Sequence, residues 1–355
     1  MTTGPVIALD VMGGDGGPSV TLAGADIACR RYPDLAFRLY GLEDRIRNEL
    51  ATYPALAKVS TIVHAPEEIL GTDKPSQALR RARHSSMGMA VEAVKEGEAL
   101  AAVSAGNTGA LMAIAKLALR TMAGIDRPAL LAVLPTMKTD MVMLDLGANT
   151  ECDAANLVQF AVMGAAFART VLGAARPTVA LLNIGEEDLK GTQELKEAAQ
   201  QLRDAPELPL QFIGFTEGDK ISRGDVHVVV TDGFTGNVAL KTVEGTAKLV
   251  ATLLTQAIKS RWLYMLGALL ARGALRALRS HLDPNNHNGA VFLGLNGLVV
   301  KSHGGATAHG VANAIGVAHD LMVADINRRI ADDLENFRSH HPALDKAQAA
   351  GAALS

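Results

Sequence analysis

Apolar residues along this chain fall into two alternating patterns. Nearly continuous apolar runs, such as residues 6–9, 178–183 and 226–231, are typical of strands that are covered on both faces of a sheet. Longer segments with apolar positions at helical spacing, such as residues 156–172, lie between them. Because strands alternate with helices, the crossovers should be right-handed, and the sequence predicts a doubly wound, three-layer α/β/α fold around a parallel sheet.

The same patterns place the other elements. Further strands are predicted at residues 37–40, 60–64, 100–103, 130–134, 141–145 and 297–300. Further helices are predicted at residues 18–30, 43–51, 76–95, 110–119 and 312–337. We expect residues 1–340 to form a single α/β catalytic domain with a projecting helical segment. The alanine-rich tail over residues 342–355 is expected to be disordered.

The projecting segment spans residues 245–283 and has no acidic residue before Asp283. At 3.6 residues per turn its arginines share one narrow stripe, formed by Arg261, Arg272, Arg276 and Arg279. Apolar side chains fill much of the remaining circumference, among them Trp262, Leu266, Leu269 and Leu270. Gly267 and Gly273 are expected to interrupt the helix. The segment fits a dimer or core contact, and equally an anionic membrane or an acidic protein partner.

Glycine-bearing turns follow several predicted strands. In Val103-Ser104-Ala105-Gly106-Asn107-Thr108-Gly109, a strand leads through a turn of small residues directly into a helix. Such turns offer main-chain N–H groups to an oxyanion, and the helix N-terminus adds favourable electrostatics. The same layout recurs at residues 10–17, 183–187, 232–237 and 301–305. Since the carboxyl ends of parallel strands meet at one edge of a sheet, the sequence predicts a single anion-binding crevice.

Composition narrows the class of protein. The chain is 48% apolar, 4% aromatic and carries a formal net charge of −3, which argues for a packed core and against nucleic-acid binding. Cys29 and Cys152 give neither a disulfide framework nor a zinc signature, so a reducing, cytoplasmic setting is expected. We see no secretory signal and no uninterrupted apolar stretch long enough to span a bilayer.

Individual polar residues leave several interpretations open. The run at residues 13–17 lacks the spacing of a dinucleotide-binding turn. Lys190 fits either a solvated charged turn or a phosphate contact, and His303 fits a structural or a ligand-binding role. Asn237 could cap the helix that carries Lys241 and also donate to a ligand. Cys152 has no adjacent basic partner, which argues against a nucleophilic thiol.

Several motifs, in order along residues 5 to 330, resemble those of the bacterial acyl-acyl carrier protein:phosphate acyltransferases. The shared stretches are residues 9–15, 85–87, 104–111, 126–129, 144–149, 181–187, 232–237 and 293–297. Gly16 and Asn288 depart from the family pattern, Asn288 standing where a glycine is usual. The resemblance implies a fold similar to those of phosphotransacetylases and isopropylmalate dehydrogenases. It also implies a homodimer, peripheral membrane association and a role in phospholipid synthesis.

The implied reaction transfers a fatty acyl group from acyl-acyl carrier protein to inorganic phosphate, without a metal or other cofactor. The acyl phosphate would supply a membrane glycerol-3-phosphate acyltransferase in phosphatidic acid synthesis. For this reaction we expect Lys190 to neutralise phosphate or the developing oxyanion and Asn237 to orient the acyl carbonyl or phosphate. Other residues expected to bind substrate are Asp10, Ser104, Gly106, Asn107, Thr108, Asn183, Gly236, Lys301 and His303. The arginine stripe and its apolar neighbours are expected to contact the carrier protein or the membrane.

Two other functions are considered. A metal- and NAD-dependent hydroxy-acid dehydrogenase of the isopropylmalate type would share the fold, but it needs an aspartate cluster and a cofactor loop that the sequence does not offer. A non-enzymatic scaffold on a lipid surface would use only the basic helical segment. It leaves the repeated glycine-bearing turns without a purpose.

Overall fold

A computed structural model describes residues 4–341 of the chain. Its strands join in one 11-stranded sheet with the order β3-β2-β1-β4-β11-β10-β5-β6-β9-β7-β8. The strands are β1 (Val6–Asp10), β2 (Ala36–Gly41), β3 (Ser60–His64), β4 (Ala101–Ser104), β5 (Ala129–Leu134), β6 (Met141–Leu144), β7 (Thr178–Leu182), β8 (Gln211–Thr216), β9 (Val228–Val230), β10 (Ala290–Leu293) and β11 (Leu298–Lys301). The predicted disordered tail, residues 342–355, lies outside the described residues.

Helices cover both faces of the sheet, as the α/β prediction requires. They are α1 (Gly17–Arg31), α2 (Glu43–Leu50), α3 (Pro54–Lys58), α4 (Pro75–Arg81), α5 (Ser86–Lys95), α6 (Thr108–Leu119), α7 (Ala154–Val171), α8 (Gln193–Arg203), α9 (Gly233–Lys259), α10 (Trp262–Leu270), α11 (Arg272–His281), α12 (Ala308–Val323) and α13 (Ile326–His340). Alternate residues of one strand serve different cores: Ile7 and Leu9 belong to one cluster, and Ala8 belongs to the other. The fold is therefore a three-layer α/β/α sandwich.

The sheet is mixed, which corrects the expectation of a parallel one. β1, β2, β4 and β11 run parallel to one another. Three antiparallel pairings follow, between β11 and β10, between β10 and β5, and between β5 and β6. β6, β9, β7 and β8 are again mutually parallel. After these three reversals, β6, β7 and β9 run opposite to β1, β4 and β11.

The premise that all five turns follow strands of one direction is therefore wrong. The turns at residues 10–17, 105–109 and 301–305 follow the carboxyl ends of β1, β4 and β11. The turns at residues 183–190 and 232–237 follow the carboxyl ends of β7 and β9, which run in the opposite direction. A period-2 or apolar pattern identifies a strand but carries no information on its direction, which depends on long-range pairing. The two sets of turns can share a site only if another element connects them.

Two predicted long helices are each divided. The helix predicted over residues 76–95 becomes α4 and α5, separated by a 3₁₀ turn, because Ser85 caps α5 by accepting a hydrogen bond from the amide of Gly88 at 3.2 Å. The helix predicted over residues 312–337 becomes α12 and α13, because Asp325 takes a left-handed conformation with φ of 48°. Strands β8 and β10 were not predicted.

Helix α7 is the described helix that is long and apolar enough, by length and composition, to cross a membrane, although Asn156, Gln159 and Arg169 interrupt its apolar sequence. However, 78% of its residues are buried inside the protein, where α7 contacts α8, α13 and the sheet. Its length and apolar composition are those of a central core helix.

The segment predicted to project does so, as an arm formed by most of α9 together with α10 and α11. α9 has 27 residues and is about 40 Å long, and nearly all side chains beyond its first turns are exposed. The helix breaks fall at Ser260–Arg261 and at Ala271, while Gly267 and Gly273 lie inside α10 and α11. Arg261 therefore precedes α10 and is not on a helix with the other arginines. Only Arg272, Arg276 and Arg279 form a stripe, on α11.

Candidate active site

A cavity of about 660 Å³ lies at the edge of the sheet where β1, β4 and β11 end. Three turns surround it: the glycine-rich turn before α1, the turn between β4 and α6, and the turn after β11. A fourth wall comes from the loop over residues 68–71, and Arg45 of α2 also lines the cavity. The cavity is rich in main-chain amides and contains both buried and exposed cations, as an anion-binding site requires.

The turn after β4 is fixed by a buried pair of side chains. Ser104 Oγ donates to Asp10 Oδ2 at 2.6 Å and accepts from the amide of Gly106 at 3.1 Å. Burial raises the pKa of Asp10, although the hydroxyl of Ser104 opposes this shift. Asp10 Oδ1 is buried without a hydrogen-bond partner among residues 4–341. A Cβ atom on Gly13 would lie only 2.7 Å from Asp10 Oδ2, so close approach of the chain requires glycine there.

Asn107 organises the cavity through its side chain. Its Oδ1 accepts from the amide of Ala110 at 3.0 Å, which caps α6. Its Nδ2 donates to the carbonyl oxygens of Gly71 at 2.8 Å and Asp73 at 3.2 Å, so it holds the loop over residues 68–73 against α6. Because both ends of this amide are engaged, and the amide of Gly106 donates to Ser104, an anion at this turn would meet the main-chain amides of Asn107 and Thr108 instead.

Lys301 places a cation inside the cavity. It ends β11, is only 8% exposed, and directs Nζ to the carbonyl oxygens of Ala105, at 3.4 Å, and Ser302. Burial lowers its pKa to about 8, Asp10 partly offsets this shift, and Lys241 adds to it. The side chain is therefore mostly protonated at neutral pH, with an ammonium group held by carbonyl oxygens rather than by a carboxylate.

His303 follows on the same turn. Its amide donates to Asn288 Oδ1 at 2.8 Å, and its Nδ1 accepts from the amide of Gly305 at 3.1 Å. Partial burial lowers the pKa of His303; Glu244 opposes the shift, and nearby lysines including Lys241 add to it. The His303 ring accepts at Nδ1 and so shapes the turn, and Asn288 holds the turn further by donating from its Nδ2 to Ser302 Oγ at 2.7 Å.

Helix α9 connects the opposite edge of the sheet to this cavity. Asp232 caps α9 by accepting from the amide of Thr235 at 2.8 Å, so the expectation that Asn237 caps this helix is wrong. Asn237 lies in the second turn with an exposed side chain, one turn before Lys241 and on the same side of the helix. The charges of Lys241 and Glu244 act on His303, so this side of α9 faces the turn after β11.

The start of α9 rests on the turn after β6. Asp145 is fully buried and accepts hydrogen bonds from the amides of that turn, including Asn149 N at 2.7 Å. A Cβ atom on Gly236 would lie 1.9 Å from the carbonyl oxygen of Asp145, so only glycine lets the helix approach so closely. A Cβ on Gly147 would lie 3.7 Å from Asn237 Cβ. Gly236 thus acts by allowing contact between chain segments, which positions Asn237.

The loop after β7 is closed by Asn183. Its Nδ2 donates to the carbonyl oxygen of Lys190 at 3.2 Å, and its Oδ1 accepts from the amide of Ile184 at 2.8 Å. Both ends of this amide therefore serve the loop. Lys190 is exposed, and its ammonium group is available to an incoming ligand.

The structure thus divides the predicted site residues into groups. One group surrounds or supports the cavity: Asp10, Ser104, Gly106, Asn107, Thr108, Lys301 and His303. Asn183, Lys190, Gly236 and Asn237 come from the opposite edge, and α9 connects the two edges. The arm carries the remaining residues, Arg261, Trp262, Leu266, Leu269, Leu270, Arg272, Arg276 and Arg279, all of them exposed or partly exposed.

Sequence reasoning missed Arg45, the loop over residues 68–71 and Lys241 as parts of this region. None of them belongs to the five glycine-bearing turns from which the site was predicted, so only the tertiary fold brings them to the cavity. Cys152 was expected not to act as a nucleophile, and its surroundings agree. Burial, followed by the charge of Asp145, raises the pKa of its thiol to about 12. Within residues 4–341, no group of three or more His, Cys, Asp or Glu side chains could hold a metal ion.

Together, the fold and the cavity define an α/β protein with one mixed sheet and a polar cavity at the ends of β1, β4 and β11, lined by Lys301 and Arg45 as well as by Asp15 and Glu68. The family described as "Fatty acid synthesis protein" matches residues 6–329, and the chain belongs to this family. It is 59% identical over 331 residues to the phosphate acyltransferase of Erythrobacter litoralis, covering 93% of each chain. It is 58% identical over 338 residues to the phosphate acyltransferase of Parvibaculum lavamentivorans, covering 95% of this chain and 93% of that one.

Solved structures agree on the fold. The chain is similar to a phosphotransacetylase from Streptococcus pyogenes, with a TM-score of 0.61 and 17% identity, covering 91% of this chain and 95% of that chain. It is also similar to the EutD phosphotransacetylase from Staphylococcus aureus, with a TM-score of 0.60 and 17% identity, covering 90% and 95%. At this identity the likeness concerns the fold alone. The resemblance to phosphate acyltransferases and the phosphotransacetylase-like α/β fold are both confirmed.

Proposed function

We propose that this protein transfers a fatty acyl group from a carrier-protein thioester to inorganic phosphate, which yields an acyl phosphate for phosphatidic acid synthesis. The observation that carries the proposal is the buried ammonium of Lys301 in a cavity lined by main-chain amides. The name phosphate acyltransferase, borne by relatives that match more than nine-tenths of the chain, supports it. The hydroxy-acid dehydrogenase and the lipid-surface scaffold have no comparable support.

The chemistry of this reaction suits the side chains available. Phosphate is an anionic nucleophile at neutral pH, and the leaving thiol has a pKa of roughly 8.5, so neither needs covalent help from the protein. Because the nucleophile and the leaving group are already suited to the reaction, this proposal includes no metal or other cofactor. The enzyme has to hold phosphate against the thioester carbon and stabilise the oxyanion that forms on the carbonyl oxygen.

We assign the phosphate to the floor of the cavity, near Lys301 and the main-chain amides of Asn107 and Thr108. Asn237 and Lys190 approach from the other half of the sheet. In this arrangement Asn237 orients the acyl carbonyl and Lys190 neutralises the developing oxyanion.

The arm is proposed to serve the partners of the reaction. Leu263, Leu269 and Leu270 expose apolar surface, and the arginine stripe of α11 lies beside them. Such a surface suits a second copy of this chain in a homodimer, the acidic carrier protein, and an anionic membrane. We propose a cytoplasmic protein that associates peripherally with the membrane and hands its product to a membrane glycerol-3-phosphate acyltransferase, with no nucleic-acid partner.

Release of thiol from palmitoyl-carrier protein tests the proposal. Thiol release should require both the enzyme and inorganic phosphate, and an acyl phosphate should accumulate in equal amount. Release that does not depend on phosphate would assign the protein a different reaction, such as thioester hydrolysis. Added NAD and Mg²⁺ should leave the unfolding temperature unchanged, since a ligand stabilises only the protein that binds it.

A further inference from the structure

The cavity is larger than inorganic phosphate alone requires. Its volume of about 660 Å³ lies within the range of sites that enclose an organic ligand of drug size. A tetrahedral anion held at Lys301 would leave most of this volume for another ligand. In the proposed reaction, that ligand has to belong to the acyl donor.

Two cations line the cavity and differ in exposure. Lys301 is buried, whereas Arg45 lines the cavity with an exposed side chain. The Arg45 guanidinium lies beside the start of α1: its Nη2 is 3.9 Å from the position of a Cβ atom on Gly17. Within residues 4–341, no hydrogen bond or ion pair engages the Arg45 side chain. A planar guanidinium with free donors is well suited to a phosphate group.

The rest of the cavity wall contains both apolar side chains and main-chain polar groups. Met12 and Ile69 supply buried apolar surface, and Pro18 adds to it. The loop over residues 68–71 and the turn over residues 105–109 face the cavity as well, and both carry main-chain amide and carbonyl groups. A flexible chain with its own amides and a branched aliphatic part would match both kinds of wall.

We propose that this cavity binds the pantetheine arm of the acyl donor and that Arg45 binds the phosphate at the far end of that arm. The inference rests on the proposed function, because it takes the donor to be a carrier-protein thioester. The arm enters past Arg45 and delivers the thioester to the floor, where Lys301 holds inorganic phosphate. Arg45 thus determines donor specificity without touching the reacting atoms.

Two soluble donors that differ only in this phosphate test the proposal: octanoyl-phosphopantetheine and octanoyl-pantetheine. With inorganic phosphate saturating, wild-type kcat/KM should favour the phosphorylated donor on the order of ten- to a hundredfold, as expected for a charge-assisted hydrogen bond. The ratio should fall close to one in Arg45→Gln. The change should appear in KM for the phosphorylated donor rather than in kcat, since this phosphate does not react.

Arg47→Gln is the matched control. Arg47 lies on the same helix, is exposed, pairs with Glu43 and does not line the cavity. It should keep the wild-type preference. The KM for inorganic phosphate should be the same in Arg45→Gln as in the wild type, which separates the phosphate bound at the rim from the one bound at the floor.

Calorimetry provides a readout without turnover. Phosphopantetheine should bind the wild type more tightly than pantetheine, and Arg45→Gln should remove this difference. If both donors react equally well with the wild type, or if Arg45→Gln retains the preference, the inference is wrong while the proposed function stands. If neither donor nor palmitoyl-carrier protein releases thiol in a phosphate-dependent way, the proposed function itself fails.

Discussion

Lys301 shows how far a single residue can be understood from its sequence position. The sequence placed it at the end of a strand, beside glycines, and this position is confirmed. Its burial, and the carbonyl oxygens that hold its ammonium group, depend on the turn after β4, which lies almost two hundred residues earlier in the chain. The same holds for Asp10 and Ser104, whose hydrogen bond links two adjacent strands of the sheet. Local sequence cannot reveal such contacts.

The buried ammonium of Lys301 gives the first prediction. Because burial lowers its pKa from 10.5 to about 8, the KM for phosphate should rise above pH 8, by up to about tenfold per pH unit. The permanently charged variant Lys301→Arg should flatten this rise. Lys301→Met, of similar volume but uncharged, should lower kcat/KM for phosphate by about a hundredfold or more. Initial rates from pH 6.5 to 9.5 provide the measurement.

Lys116→Met, a change at an exposed site on α6, should behave like the wild type in these assays. Stability should have the opposite pH dependence. Between pH 8 and 10.5 the unfolded chain binds more protons than the folded chain, so the Lys301 contribution to the free energy of unfolding rises with pH. A phosphate KM in Lys301→Arg that still rises above pH 8 would show that another group controls it.

At the scale of elements, strongly periodic segments were predicted well and helix ends were not. The strands from β1 to β7 and helix α7 agree with the apolar patterns. The divided helices show why boundaries fail: the Ser85 cap and the left-handed Asp325 interrupt patterns whose apolar spacing continues across them. In the arm, the glycines expected to break the helix do not, because an exposed helix tolerates glycine at a cost of about 1 kcal/mol.

The cap of α6 gives the second prediction. Asn107→Ala should lower the free energy of unfolding by about 1 kcal/mol. It should also raise the KM for phosphate, since Asn107 holds the loop over residues 68–73 that forms a cavity wall. Asp153→Ala removes the cap of α7 and serves as the control, with a similar loss of stability but no change in KM. Urea unfolding and steady-state rates measure both effects. An unchanged KM for phosphate in Asn107→Ala would show that the loop over residues 68–73 does not contribute to phosphate binding.

The amphipathic arm gives the third prediction. Binding to vesicles of phosphatidylglycerol should weaken as salt is added, and it should be lost when Arg272, Arg276 and Arg279 are all changed to Glu. Three exposed cations elsewhere, Lys58, Lys116 and Arg328, provide a control with the same change in net charge. Vesicle sedimentation measures both variants. Equal loss in both would mean that net charge, and not this surface, determines binding.

At the scale of the whole molecule, the sequence identified the turns that carry the chemistry but not their arrangement. Apolar runs show where strands lie, yet the three antiparallel pairings around β10 and β5 reverse one half of the sheet relative to the other. Lys301 therefore belongs to one half of the sheet and Lys190 to the other. Helix α9 connects the two halves, because it begins beside Asp145 in one half and passes His303 in the other.

A crystal structure with inorganic phosphate and a non-reactive thioester analogue bound together tests this arrangement most directly. The phosphate should lie within hydrogen-bond distance of Lys301 Nζ and the main-chain amides of Asn107 and Thr108, with the analogue's carbonyl carbon next to it and Asn237 nearby. Phosphate bound only at the opposite edge, around Lys190 and residues 232–237, would contradict the account.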